Sequence, residues 1–390
     1  MSVLVTDGHF RKALAVVRSL GRRGVPVTVG ERTFLNTSFF SKYCAKRLVY
    51  PSPRRFPNQF IEFLLNEVKK NRYECLFPME EETLLLTAKY HSEISTYTHL
   101  LISDLKRIEF VRDKRNLMQF AEANGIPIPK THYLPPTQSL PPWGGGEGEG
   151  YVIKPRISSG SFGIAYVKKK EDLIASYQRV HERYPLPMIQ EWIPDGEGVY
   201  GLSALLDEAS NIKAAFVHKK LRMYPVQGGP STLREGVEHP QIMELGLSLL
   251  KSLKWVGVGM VEFKVDPRDG IPKLMEINGR FWGSLQLAID AGVDFPDILM
   301  RIAEGKTVEP NFSYKEGVRT RWLWGDIDSL LMLLFKNRTN LHLPEGHHGR
   351  IRSVVEFLRF FGKDLHYEIE SLGDIRPALR ETSRWFRRSP

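Results

Sequence analysis

Two carboxylates and an amide stand where a hairpin would bring them together. Gly259-Met260-Val261-Glu262-Phe263-Lys264-Val265-Asp266 and Pro272-Lys273-Leu274-Met275-Glu276-Ile277-Asn278-Gly279-Arg280 read as antiparallel strands joined by Asp266-Pro267-Arg268-Asp269-Gly270. Side chains two residues apart share a strand face, so Glu262, Glu276 and Asn278 are expected side by side. Opposed acids repel unless a cation lies between them. An all-oxygen set of this kind suits Mg²⁺, with Mn²⁺ as the alternative. Arg280, on the same face, can meet the negative charge that develops on a transferred phosphoryl group. Solvated charges on an ordinary hairpin are the plainer explanation, but these acids sit within apolar strands.

Upstream, Tyr151-Val152-Ile153-Lys154-Pro155 is a short apolar strand followed at once by Ser158-Ser159-Gly160-Ser161-Phe162-Gly163. One cation beside a small-residue loop can surround a triphosphate with charge and backbone N–H donors, here from Lys154, Ser159, Gly160 and Ser161. A hairpin with Lys154 in solvent would leave the same pattern. Met188-Ile189-Gln190-Glu191-Trp192-Ile193-Pro194 is a second apolar strand, ending in an acid and an aromatic. Its end can offer Glu191 to the exocyclic amine of adenine, and Trp192 and Ile193 as apolar walls. Glu197 can accept from ribose hydroxyls. A strand-to-turn exit with solvated acids reads the same way.

These segments need a scaffold, and the hydrophobic periodicity supplies one. Residues 3–6 read as a strand, 11–20 as a helix with Ala13, Leu14, Val17 and Leu20 on one face, and 25–29 as another strand. That is the start of a βαβ unit and a parallel sheet. Asp7-Gly8 lacks the glycine pattern of a dinucleotide fingerprint, so no nicotinamide cofactor is expected. A helix over 60–69, a strand over 75–78 and a helix over 81–90 complete an open α/β domain spanning 1–104. A helix over 113–124 is stopped by Gly125 and Pro127. With the Pro/Gly-rich stretch 135–150 it makes a linking region, 105–150. Strands and helices alternate through 151–308. Residues 309–390 are richer in Trp, Phe and Arg, with helical periodicity.

The 390 residues, 42% hydrophobic and 26% charged, exclude a mainly disordered chain. No run of about eighteen apolar residues and no signal-peptide layout occurs, so the expected location is the cytosol. Cys44 and Cys75 have no metal-site spacing and are expected to be reduced. The net charge of +10 gathers partly at the end, where Arg376, Arg380, Arg384, Arg387 and Arg388 recur with Trp385 and Phe386. No recognised nucleic-acid module accompanies it, so specific nucleic-acid binding is not expected. A solvated surface and peripheral contact with an anionic surface both remain open, as does oligomerisation.

Taken in order, these segments resemble the ATP-grasp superfamily over residues 1–305, in its carboxylate-amine ligase-like branch, similar to carbamoyl-phosphate-synthase-type proteins. The resemblance implies a mixed α/β and α+β architecture. An N-terminal open parallel α/β domain precedes the ATP-grasp domain, and an α-rich C-terminal extension follows it. It implies that Lys114, in Arg112-Asp113-Lys114, and Lys154 hold nucleotide phosphates, that Glu191 and Glu197 hold adenine and ribose, and that Glu262 and Glu276-x-Asn278 hold magnesium. The stretch from His218 to Ser231 is similar to the acceptor-side loop of that branch. Lys219 and Arg222 are the candidates there for a carboxylate or its acyl phosphate, with Lys219 and Lys220 not distinguished. Gly279 departs from the family, where proline is frequent. The implied partners are ATP, a small carboxylate and an amine. The implied reaction activates the carboxylate as an acyl phosphate, passes the acyl group to the amine and releases ADP and phosphate. A bicarbonate-using carboxylase, or a nucleotide-binding or membrane-surface protein without turnover, are the alternatives.

Overall fold

The computed structural model describes residues 2–136, 139, 141, 143, 150–158, 160, 162–226, 228–335 and 350–387. Four parallel strands open the chain: β1 (Val3–Val5), β2 (Val27–Glu31), β3 (Cys44–Val49) and β4 (Cys75–Phe77), in the spatial order β3-β2-β1-β4. Alternate side chains of β1 enter two cores, as a strand covered on both faces requires. Val3 and Val5 pack with Ala13, Val16 and Val17 of helix Arg11–Arg22, whereas Leu4 packs with Phe60, Leu64 and Val68 of helix Pro57–Asn71. β3 escapes a periodicity reading because it is a largely exposed edge strand carrying Lys46 and Arg47. A further helix, Leu105–Arg112, capped by Asp104, precedes helix Lys114–Ala123 and also lies outside the sequence expectations.

A small antiparallel sheet follows, with strands β5 (Thr131–His132), β6 (Tyr151–Lys154), β7 (Ala165–Val167) and β8 (Met188–Glu191) in the order β5-β8-β6-β7. Helix Leu173–Arg183 buries Leu173, Tyr177 and Val180 against it. Most of the expected loop 135–150 lies outside the described residues. The large sheet holds β9 (Gly198–Leu206), β10 (Ile212–Met223), β11 (Ser231–Gly236), β12 (Gly257–Val265), β13 (Pro272–Asn278), β14 (Arg319–Arg321) and β15 (Leu365–Tyr367), in the order β13-β12-β9-β10-β11-β14-β15. Phe281, Trp282, Leu285 and Phe295 join the same core as Val3, Val5 and helix Arg11–Arg22. The first sheet and the large sheet are therefore locked together, and the Phe77 and Phe281 rings lie 6.0 Å apart at the junction.

The C-terminal part supplies helices Leu323–Phe335, Arg350–Phe357 and Arg376–Phe386, and also β14 and β15, which extend the large sheet. It is thus a sheet edge as well as a helical extension. Arg18, buried on helix Arg11–Arg22, donates to Asp374 Oδ2 at 2.9 Å and to the carbonyls of Glu368 and Ile369. Arg11 stacks 3.7 Å from the Trp322 ring. Trp324, Trp385 and Phe386 form an aromatic cluster, with the two indoles 4.5 Å apart. Of the terminal arginines, Arg380 donates to the Leu35 carbonyl at 3.0 Å. Cys44 and Cys75 are free thiols. Among the described residues no helix is long and apolar enough to cross a membrane.

Candidate active site

The β12–β13 hairpin sets Glu262 directly opposite Glu276 and Met260 opposite Asn278. Asn278 Nδ2 donates to Glu276 Oε1 at 3.1 Å, and Lys220 Nζ, from β10, donates to Glu262 Oε2 at 2.5 Å. The row continues from Glu262 across Gly201 of β9 to His218 of β10. A Cβ at Gly201 would lie 2.4 Å from the His218 ring, so glycine is what lets that imidazole lie flat across the sheet. Burial brings the His218 ring down to about 3, with Lys220 and Arg234 adding to it, so it is neutral beside the acids. Burial raises the Glu262 carboxyl; Lys220 opposes this and Glu276 adds to it. At Glu276 burial is outweighed by Lys114 and Lys220, and its carboxyl lies below the ordinary value. Two opposed carboxylates with a neighbouring amide are hard oxygen donors, and their mutual repulsion is what a divalent cation relieves. The residues present fit Mg²⁺.

On the small-sheet side, Lys114 opens its helix, Asp113 caps that helix through the Arg115 amide, and Lys114 Nζ donates to the Ser158 carbonyl at 2.7 Å. The same ammonium is 3.5 Å from Glu276 Oε2. Lys154, at the end of β6, reaches to 3.7 Å from Met275 Sδ. Burial, with Lys114 next, lowers its ammonium to about 8. The structure thus brings Lys114 and Lys154 to the hairpin acids. Ser159 and Ser161 lie outside the described residues. Gly160, at φ 63°, lines the cleft with Ser158.

Between the sheets lies a cavity of about 500 Å³, within the usual range for small-molecule sites. Val152, Trp192, Ile193, Leu221, Met275 and Leu333 give it apolar walls. Glu191 lines it too, but its carboxylate is already engaged: Oε1 accepts from the Lys130 amide at 2.8 Å and Oε2 from Arg268 at 2.9 Å. Glu191 therefore also braces the β12–β13 turn. Glu197 is exposed, its charge is felt by His239, and it is not among the residues lining the cleft. Asp195 lines the cleft instead, bonded to Lys264 Nζ at 2.7 Å, while the same ammonium donates to the Ile193 carbonyl at 2.9 Å.

The choice between Lys219 and Lys220 resolves on strand geometry. Neighbouring side chains on β10 point to opposite faces, and Lys219 lies over the Tyr200 ring, 5.3 Å away, outside the cleft. Lys220 faces Glu262 and replaces it as the cleft residue. A register shift after Lys220 turns Leu221 and Arg222 together into the cavity between the sheets. Arg222 binds Asp326 through two bonds of 2.7 and 2.6 Å. Gly229 is held where a Cβ would lie 2.5 Å from the Tyr224 carbonyl oxygen, so the turn at the end of β10 folds tightly along the cleft.

Beyond the hairpin the cleft continues to a second compartment. There Arg280 is joined by Arg11, Lys12, Glu80, Arg234 and Trp282. His9 is not in that lining, although Phe10 is. Lys12, Glu80 and Arg234 were missed in the sequence. Lys12 and Glu80 follow the carboxyl ends of β1 and β4, where the crevice of an open parallel sheet binds ligands, and that rule could have found them.

A family signature described as ATP-grasp in the biosynthetic pathway with Ter operon matches residues 213–325, which hold β10 to β14 and all three hairpin residues. A D-alanine–D-alanine ligase from Pelotomaculum thermopropionicum is 24% identical over 166 residues, 39% of this chain. The match spans about half (52%) of that relative's length. Among solved structures, a biotin carboxylase from Campylobacter jejuni superposes with a TM-score of 0.65 at 13% identity, covering 82% of this chain and 74% of that one. An L-amino acid ligase from Bacillus licheniformis gives 0.60 at 15% identity, covering 78% and 74%. The chain has the ATP-grasp fold, and its stretch 213–325 carries the sequence signature of one ATP-grasp family.

Proposed function

We propose that this chain is an ATP-dependent ligase that activates a carboxylate as an acyl phosphate and passes the acyl group to an amine. The observation that carries the reading is the cross-strand pair Glu262 and Glu276, with Asn278 beside them and Lys114, Lys154 and Lys220 around them. In it, ATP enters between the two sheets, its base against Trp192, Ile193 and Leu221, its phosphates toward Lys114, Lys154 and the loop holding Gly160. Glu262, Glu276 and Asn278 would hold Mg²⁺, which would neutralise the charge of the nucleotide phosphates.

The substrate carboxylate lies in the second compartment, where Arg280 and Lys220 draw its oxygen toward the γ-phosphorus. That oxygen forms the new P–O bond, the bond to ADP breaks, and the acyl phosphate remains. The amine then attacks the acyl carbon, forming the C–N bond and releasing phosphate. Positioning and charge neutralisation do the catalysis, and no side chain acts as a nucleophile. The relatives' printed activities, D-alanine–D-alanine and L-amino acid ligation, agree with this class. The test is ADP release with Mg-ATP over a panel of carboxylates and amines, in wild type and Glu276→Ala. Substrate-dependent ADP that the substitution abolishes is expected; wild-type ADP release indifferent to every added acid and amine would count against a ligase.

A further inference from the structure

The second compartment is charged in an unbalanced way. Lys12 Nζ donates to Glu80 Oε1 at 2.6 Å and to the Phe281 carbonyl at 2.9 Å. Arg280 Nη1 donates to that same carbonyl at 3.2 Å. Two cations therefore meet at one carbonyl with one acid beside them. The next pair repeats the arrangement: Arg11 and Arg234 both bind Glu368, itself buried. Four cations share two acids. Arg234 and Lys12 are almost fully buried, so water does little to screen the surplus. Trp282 lines the same compartment, and its indole Nε1–H is buried with no hydrogen-bond partner. A buried, unpartnered indole donor and four cations directly paired to only two acids thus line one compartment.

Resting on the ligase reading above, we infer that the carboxylate substrate carries a second negative charge, as a dicarboxylate or a phosphorylated acid, and that Lys12 with Arg280 binds one of its two anionic groups. A monoanion would satisfy half of the surplus. A dianion neutralises it, with the reacting carboxylate between Arg280 and Lys220 and the second group held at Lys12 and Arg280, toward Arg234 and the Trp282 indole. Lys12 belongs to the helix after β1 and Arg280 follows β13, so the site spans the junction of the first sheet and the large sheet. Glu80 competes with the ligand for Lys12.

The experiment is calorimetric titration of the full chain, loaded with Mg²⁺ and the non-hydrolysable ATP analogue AMP-PNP, with valerate, glutarate and 2-phosphoglycolate. Glutarate or 2-phosphoglycolate is expected to bind at least tenfold more tightly than valerate, and the tighter of the two names the second group. Lys12→Met should remove the preference, Lys12→Arg should keep most of it, and Glu80→Gln should tighten dianion binding several-fold. That last gain is one a purely structural Lys12–Glu80 pair would not give. Valerate binding as tightly as both dianions, no binding of any of the three, or an unchanged preference in a folded Lys12→Met, would overturn the inference. Titration with AMP-PNP and Mg²⁺ alone reports separately on the ligase reading: dianion selectivity without nucleotide binding would sink that reading, while the dianion site at Lys12 and Arg280 would stand.

Discussion

Glu262 and Glu276 face each other across a single pair of antiparallel strands, with Lys220 on one and Lys114 near the other. Each acid has its own ammonium, and two opposed carboxylates with an amide beside them match a divalent cation. Mg-ATP at about a hundred times its Kd stabilises a protein by about 2.7 kcal/mol. Wild type is expected to show a corresponding rise in melting temperature. Glu276→Ala should lose most of that rise and at least a hundredfold in turnover, read by thermal melts and ADP release.

Lys219 and Lys220 are adjacent in sequence and opposite in consequence. Lys220→Ala removes the partner of a half-buried carboxylate and should cut turnover at least a hundredfold. Lys219→Ala gives up a cation–π contact with Tyr200, worth about 0.5–1 kcal/mol, and should leave turnover within about threefold. Steady-state assays on the two variants compare them directly.

Lys154 sets a pH dependence. Its folded value of about 8 lies below the ordinary value of 10.5. Between those values the unfolded chain holds a proton that the folded chain has released, so through this group stability rises with pH from about 8 to 10.5 and is flat below. Nucleotide affinity should move the other way, because phosphate favours the charged form: it falls as pH climbs past 8. Binding of AMP-PNP followed from pH 6.5 to 9.5 should show this decline, and Lys154→Met should flatten it.

Asp326 joins the C-terminal part to the cavity between the two sheets. It is 1% exposed and accepts from Arg222, Arg321 and Thr232. Asp326→Ala would leave the buried Arg321 uncompensated and is expected to cost about 3–5 kcal/mol in urea unfolding. Deleting residues 311–390 would remove β14, β15, Glu368 and Asp374 together, exposing the edge of β11 and orphaning Arg18. Aggregation of the truncated chain, followed by light scattering, is the expected result.

The hairpin was legible because both strands are long and meet at a turn rich in Asp, Pro and Gly; the direct opposition of Glu262 and Glu276 was not, because it depends on a register shift between Glu262 and Phe263 that the spacing does not contain. The parallel start was legible too, helix Arg11–Arg22 carrying its apolar stripe toward β1. Other features depend on contacts that no local pattern contains. Glu191 is also engaged by Arg268, 77 residues away. Glu197 and Asp195 are two apart, and the path of the turn decides which faces the cleft. Parity along β10 separates Lys219 from Lys220 only once the inner face is known, and the register shift after Lys220 then carries Arg222 to the cavity between the sheets. β14 and β15 are three residues each, too short for a period to show.

The most direct measurement follows oxygen. With the substrate carboxylate labelled with ¹⁸O, attack on the γ-phosphate and later departure of the acyl phosphate must carry one labelled oxygen into the phosphate released in each turnover. One ¹⁸O per phosphate, by mass spectrometry, is the expected result; amide formation with unlabelled phosphate would contradict an acyl phosphate at this site.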